Sequence, residues 1–139
     1  MAGWDSFAMA GEILNFYYRG VAITAPGTLY MRLLVEPSDR SGSAGTETNY
    51  SGYARLAVPR STGGLFSNAP SSGQLSNSSI IAFPAASSLG NGNLVWFDFV
   101  DTISGSFTKL YNGGPINPER AVVVGKDIRF RTGALIITF

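Results

Sequence analysis

The first twenty residues carry an apolar pattern that predicts a helix. The residues that recur at the spacing of one helix face are Trp4, Phe7, Gly11, Leu14 and Tyr18. Asp5 or Ser6 can cap the start, Arg19 suits the last turn, and Gly20 suits the position that follows a helix. Such a helix either packs over one end of a sheet or forms an arm that docks on a neighbouring subunit.

Beyond Gly20 the apolar residues alternate with polar ones, which is typical of strands. The predicted strands lie near Thr28–Glu36, Tyr53–Val58, Ser79–Phe83, Leu94–Val100, Ser106–Tyr111, Val122–Val124, Ile128–Arg131 and Leu135–Phe139. The predicted turns between them include Ala25-Pro26-Gly27, Gly90-Asn91-Gly92, Ser104-Gly105 and Asn112-Gly113-Gly114-Pro115. Short strands at this spacing predict a single all-β domain over residues 1–139. We expect an antiparallel β-sandwich, jelly-roll or Greek-key-like, with one N-terminal α-helix.

Two polar stretches interrupt the strands and predict loops. The first covers residues 37–49, and the second, a long polar loop over residues 60–79, is rich in Ser, Gly and Asn. Because Leu65, Phe66 and Leu75 lie in the second stretch, we expect part of it to be ordered against a neighbour or to include a short strand.

Cysteine and histidine are both absent from the 139 residues. These side chains supply most nucleophiles, neutral-pH bases and transition-metal ligands, so we predict no enzyme activity, no cofactor and no metal site. Asp98 and Asp101 are the carboxylates nearest in sequence to a glycosidase-type pair, but their spacing places them on opposite faces of a strand. The pairs Gly63-Gly64 and Gly113-Gly114 lack the lysine of a phosphate-binding loop.

Charge is sparse and balanced, with ten basic and nine acidic residues, a net charge of +1 and 14% charged residues. A typical soluble domain has about a quarter. The balance predicts neither nucleic acid nor membrane as a partner, and the low fraction favours homo-oligomerisation or docking on a larger assembly. Arginines outnumber lysines eight to two, which fits an interface or a compositional bias of the lineage. Asp5 and Glu12 interrupt the amino terminus, so we expect no signal peptide.

Aromatic residues cluster in the predicted strand Leu94–Val100. Trp96, Phe97 and Phe99 fall on both faces of this strand, so either both faces are covered or one meets a partner. Subunit packing is the favoured explanation for the second face, ahead of a carbohydrate platform.

The order of several short motifs resembles a known family. The motifs are Leu14-Asn15-Phe16-Tyr17-Tyr18-Arg19-Gly20, Thr24-Ala25-Pro26, Leu29-Tyr30, Gly52-Tyr53-Ala54-Arg55, Asn77, Phe83-Pro84, Val95-x-Phe97-x-Phe99, Asp101-x-x-Ser104-Gly105 and Gly125-Lys126-Asp127-x-x-Phe130-x-x-Gly133-x-Leu135-x-Ile137. They are similar to those of small bacteriophage virion proteins described as tail-fibre proteins, some of which are head decoration (cement) proteins. Ser106 replaces a second glycine of the family pattern, and residues 60–79 are longer than usual.

The resemblance implies a capsid decoration (cement) protein that binds the outer shell and stabilises neighbouring major capsid subunits. It implies a virion location on the capsid surface and synthesis in the bacterial host cytoplasm. Its implied partners are the phage major capsid protein and further copies of the chain, with a trimer as first choice. The alternatives are a tail-associated component that binds a host surface glycan and a β-sandwich enzyme acting on polysaccharide. The residues predicted to contact a partner are Trp4, Phe7, Arg40, Asn49, Arg60, Leu65 and Phe66.

Overall fold

The computed structural model of the protein describes residues 4–60, 64–66 and 73–138. These residues form one helix and ten strands. Their bounds are β1 Trp4–Asp5, α1 Phe7–Arg19, β2 Thr28–Glu36, β3 Thr46–Glu47, β4 Leu56–Pro59, β5 Gln74–Ser76, β6 Ile81–Phe83, β7 Leu94–Val100, β8 Leu110–Arg120, β9 Ile128–Phe130 and β10 Ile136–Thr138.

The strands form one large antiparallel sheet and two small ones. The large sheet has the order β1-β8-β7-β2-β3, and β4 also pairs with β2. The small sheets are the antiparallel pairs β5–β10 and β6–β9. One hydrophobic cluster joins Leu33 and Phe97 of the large sheet to Phe83 and Phe130 of the β6–β9 sheet. The predicted all-β fold with one N-terminal helix is therefore confirmed.

Strand β7 lies at the centre of the large sheet, and both of its faces are covered. Phe97 and Phe99 belong to the hydrophobic cluster on one face. On the other, the ring of Trp96 lies 5.9 Å from that of Trp4, and Asp98 is fully buried. The favoured explanation of this aromatic run, that its second face packs against another subunit, is therefore wrong.

Strands β2 and β7 have the predicted bounds, but the predicted turn over Asn112-Gly113-Gly114-Pro115 is wrong. These residues lie inside β8, where Gly113 pairs with Asp98 and Gly114 pairs with Phe97. A Cβ atom on Gly113 would lie 2.6 Å from Nε1 of Trp96, and one on Gly114 would lie 3.1 Å from the Phe97 ring. The two glycines therefore allow close approach of the strands and do not form a turn.

Other boundaries differ from the prediction in smaller ways. The predicted strand over Ser106–Tyr111 is wrong for its first four residues, because β8 begins at Leu110. The predicted strand Val122–Val124 is wrong, since Val124 forms only an isolated bridge with Ala86. The alternating pattern did not reveal β1, β3 or β5, which have two or three residues each.

The segment 60–79 includes strand β5 and an isolated bridge between Phe66 and Asn77. A short strand in this segment is one of the two outcomes that its apolar residues predicted. Its residues 61–63 and 67–72 lie outside the described residues. The same is true of residues 1–3 and 139, on which the ends of the predicted helix and last strand fall. Within the described residues, the predicted helix is wrong for Trp4 and Asp5, which form β1.

Candidate association surface on the amino-terminal helix

Helix α1 has no buried residue, although it is rich in aromatic side chains. Tyr17 is 75% exposed and Tyr18 is 83% exposed. We call the exposed apolar side chains of α1 and the segment that follows it the helix patch. Its members are Phe7, Leu14, Phe16, Tyr17, Tyr18, Val21 and Ile23. A helix that packs on its own domain buries its apolar side chains, so the helix patch is a candidate association surface.

The sequence defines both ends of α1. The Ser6 side chain accepts a 3.0 Å hydrogen bond from the Met9 backbone N–H, which is a typical N-cap. Gly20 ends the helix in the left-handed conformation at φ 66°, which glycine adopts without steric cost. Arg19 lies in the last turn and donates to the Asn15 side chain at 3.2 Å. The predicted capping of the helix is confirmed.

Helix α1 is attached to the sheet through its first turn. The Ser6 backbone N–H donates to the Tyr111 carbonyl at 2.8 Å, and the Ser6 hydroxyl donates to the Leu110 carbonyl. The Phe7 backbone N–H donates to the Arg40 carbonyl at 2.9 Å. Beyond this turn the aromatic side chains Phe16, Tyr17 and Tyr18 remain exposed, so the interpretation of a helix packed over one end of a sheet is wrong for them. The exposure favours the alternative of an arm that docks on a neighbour.

A groove of about 900 Å³ runs beside the helix patch. Its walls include Ile13, Leu14 and Ile23, and Asp5 and Arg40 are the charged residues in its lining. The Arg40 side chain donates to the Asp5 backbone carbonyl at 2.7 Å. Burial raises the pKa of the Asp5 carboxyl, and the nearby positive charge of Arg40 opposes this shift. The groove therefore offers an apolar surface with charge at its margin, which suits a protein partner.

Three of the seven predicted contact residues meet at the base of α1. The Arg40 guanidinium carbon lies 4.8 Å from the centre of the Phe7 ring. The Trp4 ring contacts that of Trp96 at a tilt of 32°, and Trp4 pairs with Gly113 of β8. These contacts join β1, α1 and the loop after β2 at one position, although Arg40 is more than thirty positions from Trp4 and Phe7 in the sequence.

The other four predicted contact residues lie elsewhere. The Asn49 backbone N–H donates to the Asn91 side chain at 3.2 Å, and Arg60 donates to the Pro26 carbonyl. Leu65 and Phe66 are partly buried and pack against the hydrophobic cluster, with the Phe66 ring 5.6 Å from that of Phe99. Each of these residues has a role within the described part of the fold, and their contact with a partner stays a prediction.

The predicted contact set did not include most of the helix patch. Six of its seven members were left out, namely Leu14, Phe16, Tyr17, Tyr18, Val21 and Ile23. A signal was available, because Phe16, Tyr17 and Tyr18 are consecutive and point in three directions around a helix. A helix packed on one side cannot bury all three, so part of the run must face outward.

The Asp98 carboxylate is not available for catalysis. Arg32 donates to its two oxygens at 2.7 and 2.6 Å, and the Ser38 hydroxyl donates at 2.8 Å. Asp98 is fully buried, whereas Asp101 lies at the surface and accepts a 3.0 Å bond from the Thr108 backbone N–H. Glycosidase chemistry requires two carboxylates that face each other across one cleft, and these two do not.

The Glu47 carboxylate is occupied in the same way. Arg55 donates to its two oxygens at 2.9 and 2.8 Å, and the Tyr53 hydroxyl donates at 2.7 Å. Burial alone would raise the pKa of Glu47, but these bonds and the positive charges of Arg55 and Arg32 outweigh it, so the pKa lies below its usual value. Burial and the Glu47 charge raise the pKa of Tyr53, which keeps its hydroxyl protonated.

Residues 4–60, 64–66 and 73–138 contain no group of three or more acidic residues placed to hold a metal ion. Among the same residues, no helix is both long and apolar enough to cross a bilayer.

The described residues thus form an all-β scaffold with internally paired carboxylates and an exposed aromatic helix. The family model of the podophage GP4 fiber I protein gp80 matches residues 6–138, and the chain belongs to this family. It is therefore a structural protein of the phage particle, and the resemblance to virion proteins described as tail-fibre proteins is confirmed. A comparison with curated proteins finds no match.

Proposed function

We propose that the chain is a structural subunit of a phage fibre and that the helix patch attaches it to a neighbouring virion subunit. The observation that carries this proposal is the exposure of consecutive aromatic side chains on α1, with Tyr17 at 75% and Tyr18 at 83%. Exposed apolar surface of this kind is characteristic of protein–protein interfaces, and tyrosine is enriched there. The description of the family as a fibre protein supports the fibre location.

The proposal is of a non-enzymatic role. It is supported by the carboxylates of Asp98 and Glu47, each of which receives three side-chain hydrogen bonds. Groups bound in this way stabilise the fold and are not free to transfer protons to a substrate. The absence of histidine from the sequence removes the commonest neutral-pH base.

The second candidate is a cement protein on the outer surface of the capsid, where it would contact the phage major capsid protein. The low charged fraction of 14% favours it, because a chain that is covered by partners needs few charges for solubility. In this candidate the chain forms a homo-oligomer, with a trimer as first choice. Many copies would then combine weak contacts into stable attachment.

Cryo-electron microscopy of the whole particle separates the two candidates. We expect density for the chain in a fibre, with α1 against another subunit. Density over the capsid shell would contradict the fibre proposal and support the cement role. Density in which α1 faces solvent would contradict the attachment role of the helix patch in either location.

The double substitution Tyr17→Ser and Tyr18→Ser tests the attachment role directly. We expect it to reduce incorporation of the chain into particles at least tenfold, because interface tyrosines often contribute more than 1 kcal/mol each. The free energy of unfolding should change by less than about 0.5 kcal/mol, since exposed positions contribute little to folding. Quantitative mass spectrometry of purified particles and urea denaturation measure the two effects.

Ile103→Ser is the matched control, because Ile103 is 63% exposed in the loop after β7 and is not part of the helix patch. We expect it to change neither incorporation nor unfolding. Normal incorporation of the double tyrosine variant would contradict the proposal.

A further inference from the structure

Three arginines line a cleft of about 630 Å³ between the end of β8 and strand β9. Arg129 lies in β9 and Arg131 follows it, so the two side chains lie on the same face of the strand, where both are exposed. The guanidinium carbon of Arg120 lies 5.3 Å from the centre of the buried Phe130 ring. Arg120, the last residue of β8, is the third cation in the lining of this cleft.

Two of these arginines differ from all the others in the described residues. Six arginine side chains donate a hydrogen bond to an acceptor in the chain, namely Arg19, Arg32, Arg40, Arg55, Arg60 and Arg129. Arg120 and Arg131 make no such bond within residues 4–60, 64–66 and 73–138, and both line this cleft. Asp127 pairs with Arg129 at 2.6 Å, whereas Arg120 and Arg131 form no ion pair with any residue that the structure describes.

We propose that this cleft binds the carboxylate groups of an acidic glycan. An arginine guanidinium binds a carboxylate through two parallel hydrogen bonds, and a volume of this size accommodates a short oligosaccharide. The identification of the ligand as a glycan rests on the proposed function of a fibre subunit, because a fibre exposes its free surfaces to the host envelope. The assignment of the three arginines to a binding site depends only on the geometry of the cleft.

The cleft is less suited to two other anionic ligands. Pro118, in the same lining, has no backbone N–H, so an acidic peptide added as a strand would lack a ladder hydrogen bond there. Nucleic acid requires a basic stripe that follows several phosphates, whereas the whole chain has a net charge of only +1.

The cleft and the helix patch lie at different positions along β8. Trp4, next to the start of α1, pairs with Gly113, whereas Arg120 is the last residue of the strand. At about 3.3 Å per residue, these positions are roughly 20 Å apart. The groove beside the helix patch and the arginine cleft share no lining residue, so they are separate surfaces.

Titration calorimetry of the full chain with a short oligogalacturonide tests the inference. We expect binding that weakens with ionic strength and that is absent for the neutral, methyl-esterified form of the same oligosaccharide. Arg120→Ala and Arg131→Ala should each weaken binding about tenfold, because each removes a charge-assisted pair of hydrogen bonds. The matched control is Arg19→Ala, which removes an exposed positive charge from α1 and should leave binding unchanged.

Equal binding of the neutral oligosaccharide, or an equal effect of Arg19→Ala, would overturn the inference. Absence of oligogalacturonide binding by the unaltered chain would do the same, as would tighter binding of oligoglutamate or inorganic phosphate. Failure here is distinct from failure of the fibre proposal, because the location of the chain in the particle is measured independently. Thermal unfolding of each variant controls for loss of fold.

Discussion

The large sheet and the amino-terminal helix differ in which side chains they expose: the sheet buries charged side chains, and the helix exposes aromatic ones. In the sheet, the Asp98 carboxylate is fully buried and the Glu47 carboxylate is half-buried, and each accepts two bonds from an arginine and one from a hydroxyl. In the helix, the tyrosine and phenylalanine side chains are exposed to solvent. An ordinary monomeric domain places its charges outside and its aromatic residues inside.

The charge pairs in the sheet lower the surface charge further below what the charged fraction of the sequence indicates. Arg32, Glu47, Arg55 and Asp98 pair with one another inside or near the sheet, so they do not contribute to solvation of the surface. Fewer charged side chains therefore remain at the surface beside the exposed aromatic residues of α1. The sheet buries its polar pairs within one chain, whereas the helix leaves aromatic side chains exposed.

Asp98→Asn is expected to have the largest effect on folding. It leaves the Arg32 guanidinium buried opposite a neutral group, and removal of one member of a buried ion pair costs about 4 kcal/mol. Urea denaturation followed by tryptophan fluorescence measures the loss. Asp101→Asn, at the surface, should cost less than about 1 kcal/mol. Equal effects of the two substitutions would contradict the assignment of Asp98 to a buried pair.

Gly113→Ala tests packing next to the same ion pair. The new methyl group would lie 2.6 Å from Nε1 of Trp96 and 3.0 Å from the Phe97 carbonyl, so we expect a cost of about 3 kcal/mol. Gly11→Ala is the matched substitution in α1, where nothing lies within 4 Å of the new Cβ. It should stabilise the helix by up to about 1 kcal/mol. Changes of the same sign in thermal unfolding would remove the contrast between the two regions.

Phe66→Ala tests a residue that the sequence assigned to a partner interface and that packs against the core. Its ring contacts Phe99, so we expect a loss of about 2 kcal/mol in the free energy of unfolding of the isolated chain. Unchanged unfolding together with loss of particle incorporation would restore the interface assignment.

Glu47→Gln is expected to have the smallest effect, and one that depends on pH. Because the folded pKa of Glu47 lies below its usual value, its charge stabilises the fold above the unfolded pKa. This contribution is lost as the pH falls through the folded pKa. The variant should therefore be about 1 kcal/mol less stable than the parent at pH 7, with the difference shrinking in acid. A difference that grows in acid would show that the sign is wrong.

The alternating pattern predicted β2 and β7 well because both strands are long and buried, so their apolar residues dominate any window. It predicted Asn112–Pro115 as a turn because glycine and proline in succession usually end a strand. In the fold these glycines lie against Trp96 and Phe97, a contact between residues more than ten positions apart. Turn chemistry is local, so it could not reveal a requirement that comes from a neighbouring strand.

For the candidate surfaces too, local sequence patterns identified single residues but not the contacts between distant segments. Trp4, Phe7 and Arg40 were predicted individually, and folding brings them together at the base of α1. The arginine cleft could not be predicted, because Arg120 reaches it by packing on Phe130 of another strand. Likewise, the pairing of Arg32 with Asp98 depends on the register of β2 against β7, in which these two residues are opposite one another.

By itself, the sequence determined the all-β class, the capped helix, the family and the chemistries that the missing residue types exclude. These properties depend on composition, on short-range periodicity and on motif order, which are written along the chain. The tertiary structure decided which charges are buried, which aromatic residues remain exposed and which arginines lack a partner. Those outcomes depend on contacts between distant segments, and the free energy of such contacts is set by strand register and packing.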